Sequence, residues 1–299
     1  MKYIAAFIGF GEAGYHIASG LTEDGLTRVI AYDAMQDDSK RGPVIRQRAD
    51  KAGVPLASSV DEAVKGADFI ISLTTASVAA SVAESIIPHL QAGQVYVDFN
   101  SVAPNVLKKI DSISRQEGVL ICDGAVLGNV QKNKHRVSIY LCGSGAQAFY
   151  DAFSPYHMKL KVLDTPIGSA SGIKMLKSVY SKGLQQLVLE FVLASERCGV
   201  LREMMVTVHN PMEGKTLEEY ANEAMPRMII HASRRTDEIR NAAEMVEEMG
   251  LNAGMSRAAC EKFARLAKLE IPDSCPELSQ MGYEELAKVV LDRLDKAGK

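Results

Sequence analysis

Apolar positions in the first half of the chain come in short, nearly unbroken runs, and in the second half they recur at steps of three and four. Ile4–Ile8, Val29–Tyr32, Phe69–Leu73 and Val95–Phe99 read as strands buried on both faces. Between them lie helical stretches: Ala13–Leu21, a segment ending near Ala52, Val60–Lys65 behind a capping-box pair Ser59 and Glu62, and Val78–Leu90. Further strands are expected at Val119–Cys122, Arg136–Cys142 and Leu160–Leu163, with a short helix near Phe149. Such alternation predicts a doubly wound, mostly parallel α/β sheet. The pattern changes at Pro166, and from Ser169 onward only helical periodicity remains. Helices are expected at about 170–197, 216–224, 227–249, 255–269 and 282–296, so the chain divides into a sheet domain, 1–165, and an all-α domain, 166–299.

The first apolar run breaks into glycines. Gly9, Gly11 and Gly14 stand in G-x-G-x-x-G spacing, with a strand before them, a helix after them and an acid, Asp33, at the end of the second strand. In a Rossmann-type domain this arrangement holds a dinucleotide. The first glycine makes the tight turn, the second admits the pyrophosphate to the backbone, and the third packs helix on strand. The pyrophosphate rests on free N–H groups at the helix start, so Phe10, Glu12 and Ala13 join the expected cofactor surface. Leu73, Thr74, Thr75 and Asn100 join it too, because they follow strands at the sheet's carboxyl edge. Asp33 suits the ribose hydroxyls of NAD and repels a 2′-phosphate, unless it merely caps a turn. Lys40 and Arg41 keep NADP open.

Composition narrows the classes. At 299 residues and a net charge of −3, the chain has room for two domains and no polyanion-binding signature, so neither nucleic acid nor a membrane surface is an expected partner. Five cysteines without C-x-x-C pairing give neither a disulfide framework nor a zinc site, and no metal is expected. Reduced thiols in the cytoplasm are the simpler reading, with Cys122 and Cys142 as small core residues. Met1-Lys2 and the run after them resemble a signal peptide only superficially, since that run passes directly into the glycine turn. The basic cluster Lys132, Lys134, His135 and Arg136 reads either as an exposed loop or as a phosphate contact.

In the helix from Ala170, the apolar residues Ile173, Leu176, Tyr180, Leu184, Leu187 and Phe191 define an expected buried side. Lys174, Ser178, Ser181 and Gln185 share another line along it, behind the small, permissive stretch Gly168–Gly172. Such a line is either a solvated face or a catalytic one. With these motifs in hand, the whole chain resembles the β-hydroxyacid dehydrogenase superfamily, the group of 6-phosphogluconate and 3-hydroxyisobutyrate dehydrogenases. The N-terminal glycines match. A strand-end D-x-S/T-x-x-P-like loop is loosely matched by Asp98, Ser101 and Pro104. The substrate-loop motif D-A-P-V-S-G-G is partly matched by Asp123, Val126 and Gly128. The spacing of Gly168, Gly172, Lys174, Lys182 and Gly183 is most similar to a phosphogluconate-dehydrogenase-like branch whose C-terminal domain is poorly characterised.

The resemblance implies that Lys174 is the general acid/base of hydride transfer between NAD(P) and a 3-hydroxy acid or sugar acid, with Ser178 holding the substrate hydroxyl or the lysine. It implies Ser101, Asp123, Leu127, Gly128 and Asn129 around the substrate, and a homodimer or dimer of dimers built on the C-terminal helices. The chain departs from the family where the motif serine is Leu127, the second glycine is Asn129 and the asparagine after the lysine is Ser178. Leu127 predicts a bulkier or less polar substituent nearby. The family's later K-D pair falls at Asp237-Glu238, and His231, Arg234 or Arg235 either replaces its cation or forms a solvated face. A nucleotide sensor without turnover and a decarboxylating sugar-acid dehydrogenase stay open. The lysine itself argues against an imine reductase.

Overall fold

The computed structural model describes residues 3–298, which leaves Met1, Lys2 and Lys299 outside the described residues. Seven strands form one sheet: β1 (Ala5–Ile8), β2 (Val29–Tyr32), β3 (Phe69–Ser72), β4 (Val95–Asp98), β5 (Leu120–Leu127), β6 (Ser138–Cys142) and β7 (Lys159–Val162), in spatial order β2-β1-β3-β4-β5-β6-β7. Helices α1 (Glu12–Glu23), α2 (Gly42–Ala52), α3 (Val60–Val64), α4 (Ala79–Ile86), α5 (Pro104–Asp111), α6 (Val130–Asn133) and α7 (Ala146–Phe153) connect them. Ile17 and Leu21 of α1, Ile45 of α2 and Phe149 and Phe153 of α7 pack on one face of the sheet. Ala63 of α3, Ala83 and Ile86 of α4 and Leu107 and Ile110 of α5 pack on the other. Strands covered on both faces must be apolar throughout, and β1 and β3 have every residue buried.

Strands β1 to β5 are parallel, β6 runs against β5, and β7 runs parallel with β6. The reversal explains why the fifth strand outruns its expected end at Cys122. Asp123 to Leu127, expected in a loop, gain a partner when Cys142 to Ser138 pair with them from the opposite direction. It also returns the chain to the height of Asp123, where the next helix begins. At the rim of the sheet, β7 alternates exposed Lys159 and Lys161 with half-buried Leu160 and Val162.

The rest is helical: α8 (Ser169–Arg197), α9 (Leu201–Thr207), α10 (Leu217–Ile230), α11 (Ala232–Glu248), α12 (Gly254–Ala267), α13 (Ile271–Ser274) and α14 (Tyr283–Ala297). The compact units divide at Met1–Val179 and Tyr180–Lys299, inside α8 rather than before it. Its first turns are tied to the sheet by the Asp123 carboxylate, which holds the backbone N–H groups of Gly168 and Ser171. Helix α10 starts on a true capping box, Thr216 with Glu219, and continues through Pro226. The helical break expected near residue 225 falls instead at His231, and α9 was not expected at all.

The expected buried side of α8 is largely open. Leu176, Tyr180, Leu184 and Leu187 are 70%, 45%, 48% and 50% exposed.

Candidate functional site

A cleft of about 820 Å³ lies along the carboxyl ends of β1, β2 and β3. Its wall includes Gly9, Gly11, Glu12, Ala13, Asp33, Leu73, Thr74 and Thr75, which the structure therefore brings together as expected. The three fingerprint glycines differ in what surrounds them. A Cβ on Gly9, where φ is +95°, would stand 2.5 Å from the Leu73 carbonyl oxygen. One on Gly14 would stand 2.4 Å from the carbonyl oxygen of Gly9, whereas one on Gly11 would meet nothing within 4 Å. Packing alone thus requires glycine at the outer two positions. Gly11 faces open cleft, so its missing side chain serves a group that comes up to the backbone. Gly11 is also the N-cap of α1 and offers no side-chain cap, which leaves the first-turn N–H groups available to an anion. These residues fit a dinucleotide.

Asp33 is positioned by the fingerprint loop itself. Its Oδ2 accepts from the Phe10 backbone N–H at 2.7 Å and its Oδ1 from the Met35 N–H at 2.9 Å. Each oxygen keeps a lone pair for a ribose hydroxyl. The same bond corrects the expectation for Phe10: its N–H is occupied by Asp33 and its ring is fully buried in the core. Lys40, Arg41 and Arg48 also line the cleft, and Arg48 follows Arg41 at helical spacing on the same side of α2. Asn100 is likewise withdrawn from direct contact. It is 3% exposed; its Nδ2 donates to Ser72 Oγ and Asp98 Oδ2, and its Oδ1 accepts from the Thr74 N–H at 2.6 Å. It therefore fixes the Thr74 turn at the cleft wall rather than touching what enters.

Asp98 and Asp123 are partners in register on β4 and β5, both at most 1% exposed. Neighbouring parallel strands point registered side chains to the same face, so the two carboxyl groups sit side by side. Asp123 was expected at the substrate, but its position rules that out. Its Oδ2 accepts from Gly168 N and Ser171 N at 3.1 Å each, its Oδ1 from Ser171 Oγ at 2.6 Å, and the Cys142 thiol lies 3.3 Å from Oδ2. A carboxylate there complements the positive end of the α8 dipole. It anchors the helix that bears Lys174.

Asp98 accepts from the backbone N–H and side-chain Nδ2 of Asn100, both at 2.9 Å, yet burial still pushes its carboxyl up to about 6. Lys174 is half-buried, and burial lowers its proton affinity while the charge of Asp98 opposes that fall. An amine drawn down from its ordinary value gives up its proton more readily than an exposed lysine. Ser178 lies one helical turn beyond it and is half-buried. Sequence reasoning did not place Asp98 among the site residues. The signal was present, for an acid ending the buried run Val95-Tyr96-Val97 needs a reason to be there.

The other expected substrate contacts lie on several elements. Leu127 ends β5; Gly128 has φ +142°, which favours glycine; Asn129 turns its Oδ1 to the Lys132 N–H as the cap of α6. Ser101 is exposed just past β4. In the helical unit His231 occupies the α10/α11 junction, Arg234 pairs with Glu238 one turn along, and Arg235 lies 5.9 Å over the Phe263 ring. The basic cluster is not available to phosphate at three of its four positions: Lys134 is paired to Glu23, and His135 and Arg136 are bonded to Asp24. Among the described residues no group of His, Cys, Asp and Glu is arranged to hold a metal ion, and no helix is long and apolar enough to cross a membrane.

Comparison with known proteins agrees with this geometry. The family described as the NAD binding domain of 6-phosphogluconate dehydrogenase matches residues 4–159, and a domain of unknown function (DUF1932) matches residues 196–266. A conserved hypothetical protein of known structure from Sinorhizobium meliloti 1021 is 32% identical, covering 98% of this chain and 97% of that one with a TM-score of 0.62. An NAD-dependent L-serine dehydrogenase of Pseudomonas aeruginosa is 25% identical over 229 residues, 73% of this chain and 68% of that protein. An imine reductase from Myxococcus stipitatus, solved with NAD+, is 17% identical with a TM-score of 0.70 over 90% of this chain and 95% of that one, a likeness of fold.

Proposed function

Since this chain belongs to the family of the NAD binding domain of 6-phosphogluconate dehydrogenase, we propose that it oxidises the hydroxyl of a 3-hydroxy acid or sugar acid, or reduces the matching carbonyl, with Lys174 as the proton-transfer group. One observation carries the reading. A half-buried lysine of lowered proton affinity stands on a helix anchored, through Asp123, to the sheet whose carboxyl edge bears the cofactor cleft. When bound, the nicotinamide supplies the hydride acceptor or donor. In oxidation the neutral amine of Lys174 takes the hydroxyl proton as the C–H bond yields its hydride and the C=O bond forms. In reduction the ammonium returns that proton to the oxygen. Ser178 is suited to orient the hydroxyl or the amine. L-Serine, substrate of one relative by its name, is itself a 3-hydroxy acid.

The test is hydride transfer followed by NAD(P)H absorbance across a panel of 3-hydroxy acids, sugar acids and their keto forms, with wild type and Lys174→Ala. Turnover on at least one acid, lost in the variant, supports the reading. Tight cofactor binding without turnover on any of them would replace it with a nucleotide sensor. Asp33 favours NAD, while Lys40, Arg41 and Arg48 give a 2′-phosphate its counter-charge, so comparing the thermal shift with NADH and NADPH decides the preferred cofactor. The same proposal includes a homodimer. Leu184, Leu187, Val188, Leu189 and Leu193 on α8 are 48–50% exposed, and covering such side chains with a second copy stabilises by roughly 1 kcal/mol or more each.

A further inference from the structure

We propose that Asp98 is a positioning residue that governs how tightly Lys174 holds its proton, and so biases the site toward proton donation. The inference rests on the reading of Lys174 as the proton-transfer group. Its geometric basis is a chain of placements. Asp98 and Asp123 are registered neighbours on β4 and β5. Asp123 bonds both the N–H and the hydroxyl of Ser171. Lys174 follows Ser171 by three residues and therefore rises from the same side of α8, one turn further along. The lysine stem thus starts above the carboxylate pair. Of the two acids, Asp123 is committed to the helix start and Cys142, whereas Asp98 has only the two Asn100 donors. No ion pair within 4 Å joins Asp98 to Lys174 among the described residues, so the link is a field between a buried carboxylate and a half-buried amine, screened less than one between exposed charges.

Other ionisable groups lie near the pair on its own and neighbouring strands. Tyr96, two residues back on β4, has its phenol held high by burial and by Asp98. Cys122 on β5 is raised by burial with Asp123 and Asp98 contributing, and Cys142 on β6 is pushed up to about 11, chiefly by burial. All three are neutral across the working range, which leaves Asp98, Asp123 and Lys174 as the charges that matter. Burial drives Lys174 toward the free amine, and the Asp98 anion pulls it back toward ammonium. Above about pH 6, where Asp98 is ionised, the lysine keeps its proton more readily and serves carbonyl reduction better.

The decisive measurement does not need turnover. Full-length protein is reductively methylated with 13C-formaldehyde, and the dimethyl-lysine signal absent from Lys174→Arg is followed against pH by NMR. In Asp98→Asn the Lys174 signal is expected to titrate at lower pH than in wild type; an unchanged or higher midpoint overturns the proposal. Asn100→Ala removes the side-chain donor to Asp98, leaving the backbone N–H bond and the charge in place, so an equal downward move there assigns the effect to lost structure and also overturns it. Should Asp98→Asn not fold, the wild-type Lys174 signal itself must show a second inflection near pH 6 as Asp98 titrates, and a flat trace is decisive against the idea. Where a substrate is in hand, Asp98→Asn should improve oxidation at neutral pH and bring the loss of reduction to lower pH. A disrupted fold slows both directions instead. If Lys174→Ala retains turnover, the proposed function falls, while the NMR titration still decides the role of Asp98.

Discussion

Two carboxylates of the sheet unit, Asp24 and Asp98, live under opposite terms. Asp24 follows α1 and gathers every neighbour it can: Arg136 donates to both its oxygens at 2.8 and 2.9 Å, His135 approaches at 2.8 Å and His157 at 3.0 Å. The Arg136 bond, with the two histidines adding to it, holds its carboxyl far below the ordinary range. Asp98 ends β4 with no cation in ion-pair contact among the described residues, and its carboxyl sits high. Partnered charge marks where the fold is held together, since these bonds strap the segment after α6 and the turn at His157 before β7 onto the end of α1. Burying an acid without a paired cation costs stability, and the proposed influence on Lys174 supplies a reason for Asp98 to stand there.

The largest expected effect separates the two regions by activity. Lys174→Ala should lower hydride transfer on a competent substrate about 10²- to 10⁴-fold, the usual contribution of general acid–base catalysis. Arg136→Ala should leave kcat within about twofold, because that side chain serves Asp24. A comparable loss in both variants would erase the distinction drawn here.

The next contrast is in how stability follows pH. A carboxyl raised in the folded state makes the protein less stable as pH rises, because the unfolded chain ionises first. For Asp98 the window runs from the ordinary 3.8 to about 6, and the difference amounts to roughly 3 kcal/mol at most. Wild type should therefore gain on Asp98→Asn as pH falls from 7 to 4 in paired chemical-denaturation curves. Asp24 carries the opposite sign. Its stabilisation is complete above 3.8 and is lost as pH drops below it, so wild type should lose its advantage over Asp24→Asn in that acid range. Curves that bend the same way for both acids would contradict the comparison.

Within the Asp24 cluster the effects should divide by burial. His135 is 2% exposed and packs its ring onto Gly20, so His135→Ala should cost about 1–3 kcal/mol in urea unfolding. The His157 side chain is 71% exposed, and removing it should cost below about 1 kcal/mol.

Much of this was legible in the residues themselves. Doubly covered strands have to be written as apolar runs, and the glycines at 9 and 14 are demanded by backbone atoms less than 3 Å from where a side chain would begin. Local pattern announces such constraints. What it could not announce depends on partners distant in sequence. The extension of β5 follows from β6 arriving in reverse. The withdrawal of Asp123 and Asn100 from direct contact follows from who bonds them. Asp98 looked like one more motif letter until its register with Asp123 was known. On α8, periodicity correctly found an apolar side but could not say whether the chain's own residues cover it, and Leu176 to Leu187 are left open. A break was expected between helices 216–224 and 227–249, but α10 runs through Pro226.

The alternating lysines of β7 have a consequence for the molecule as a colloid. A rim strand offers unpaired backbone groups that any extended peptide could zip onto, and two such rims meeting would begin a fibre. Lys159 and Lys161 set like charges against one another in every such encounter. Replacing both with valine should leave the fold intact and make concentrated solutions turn cloudy.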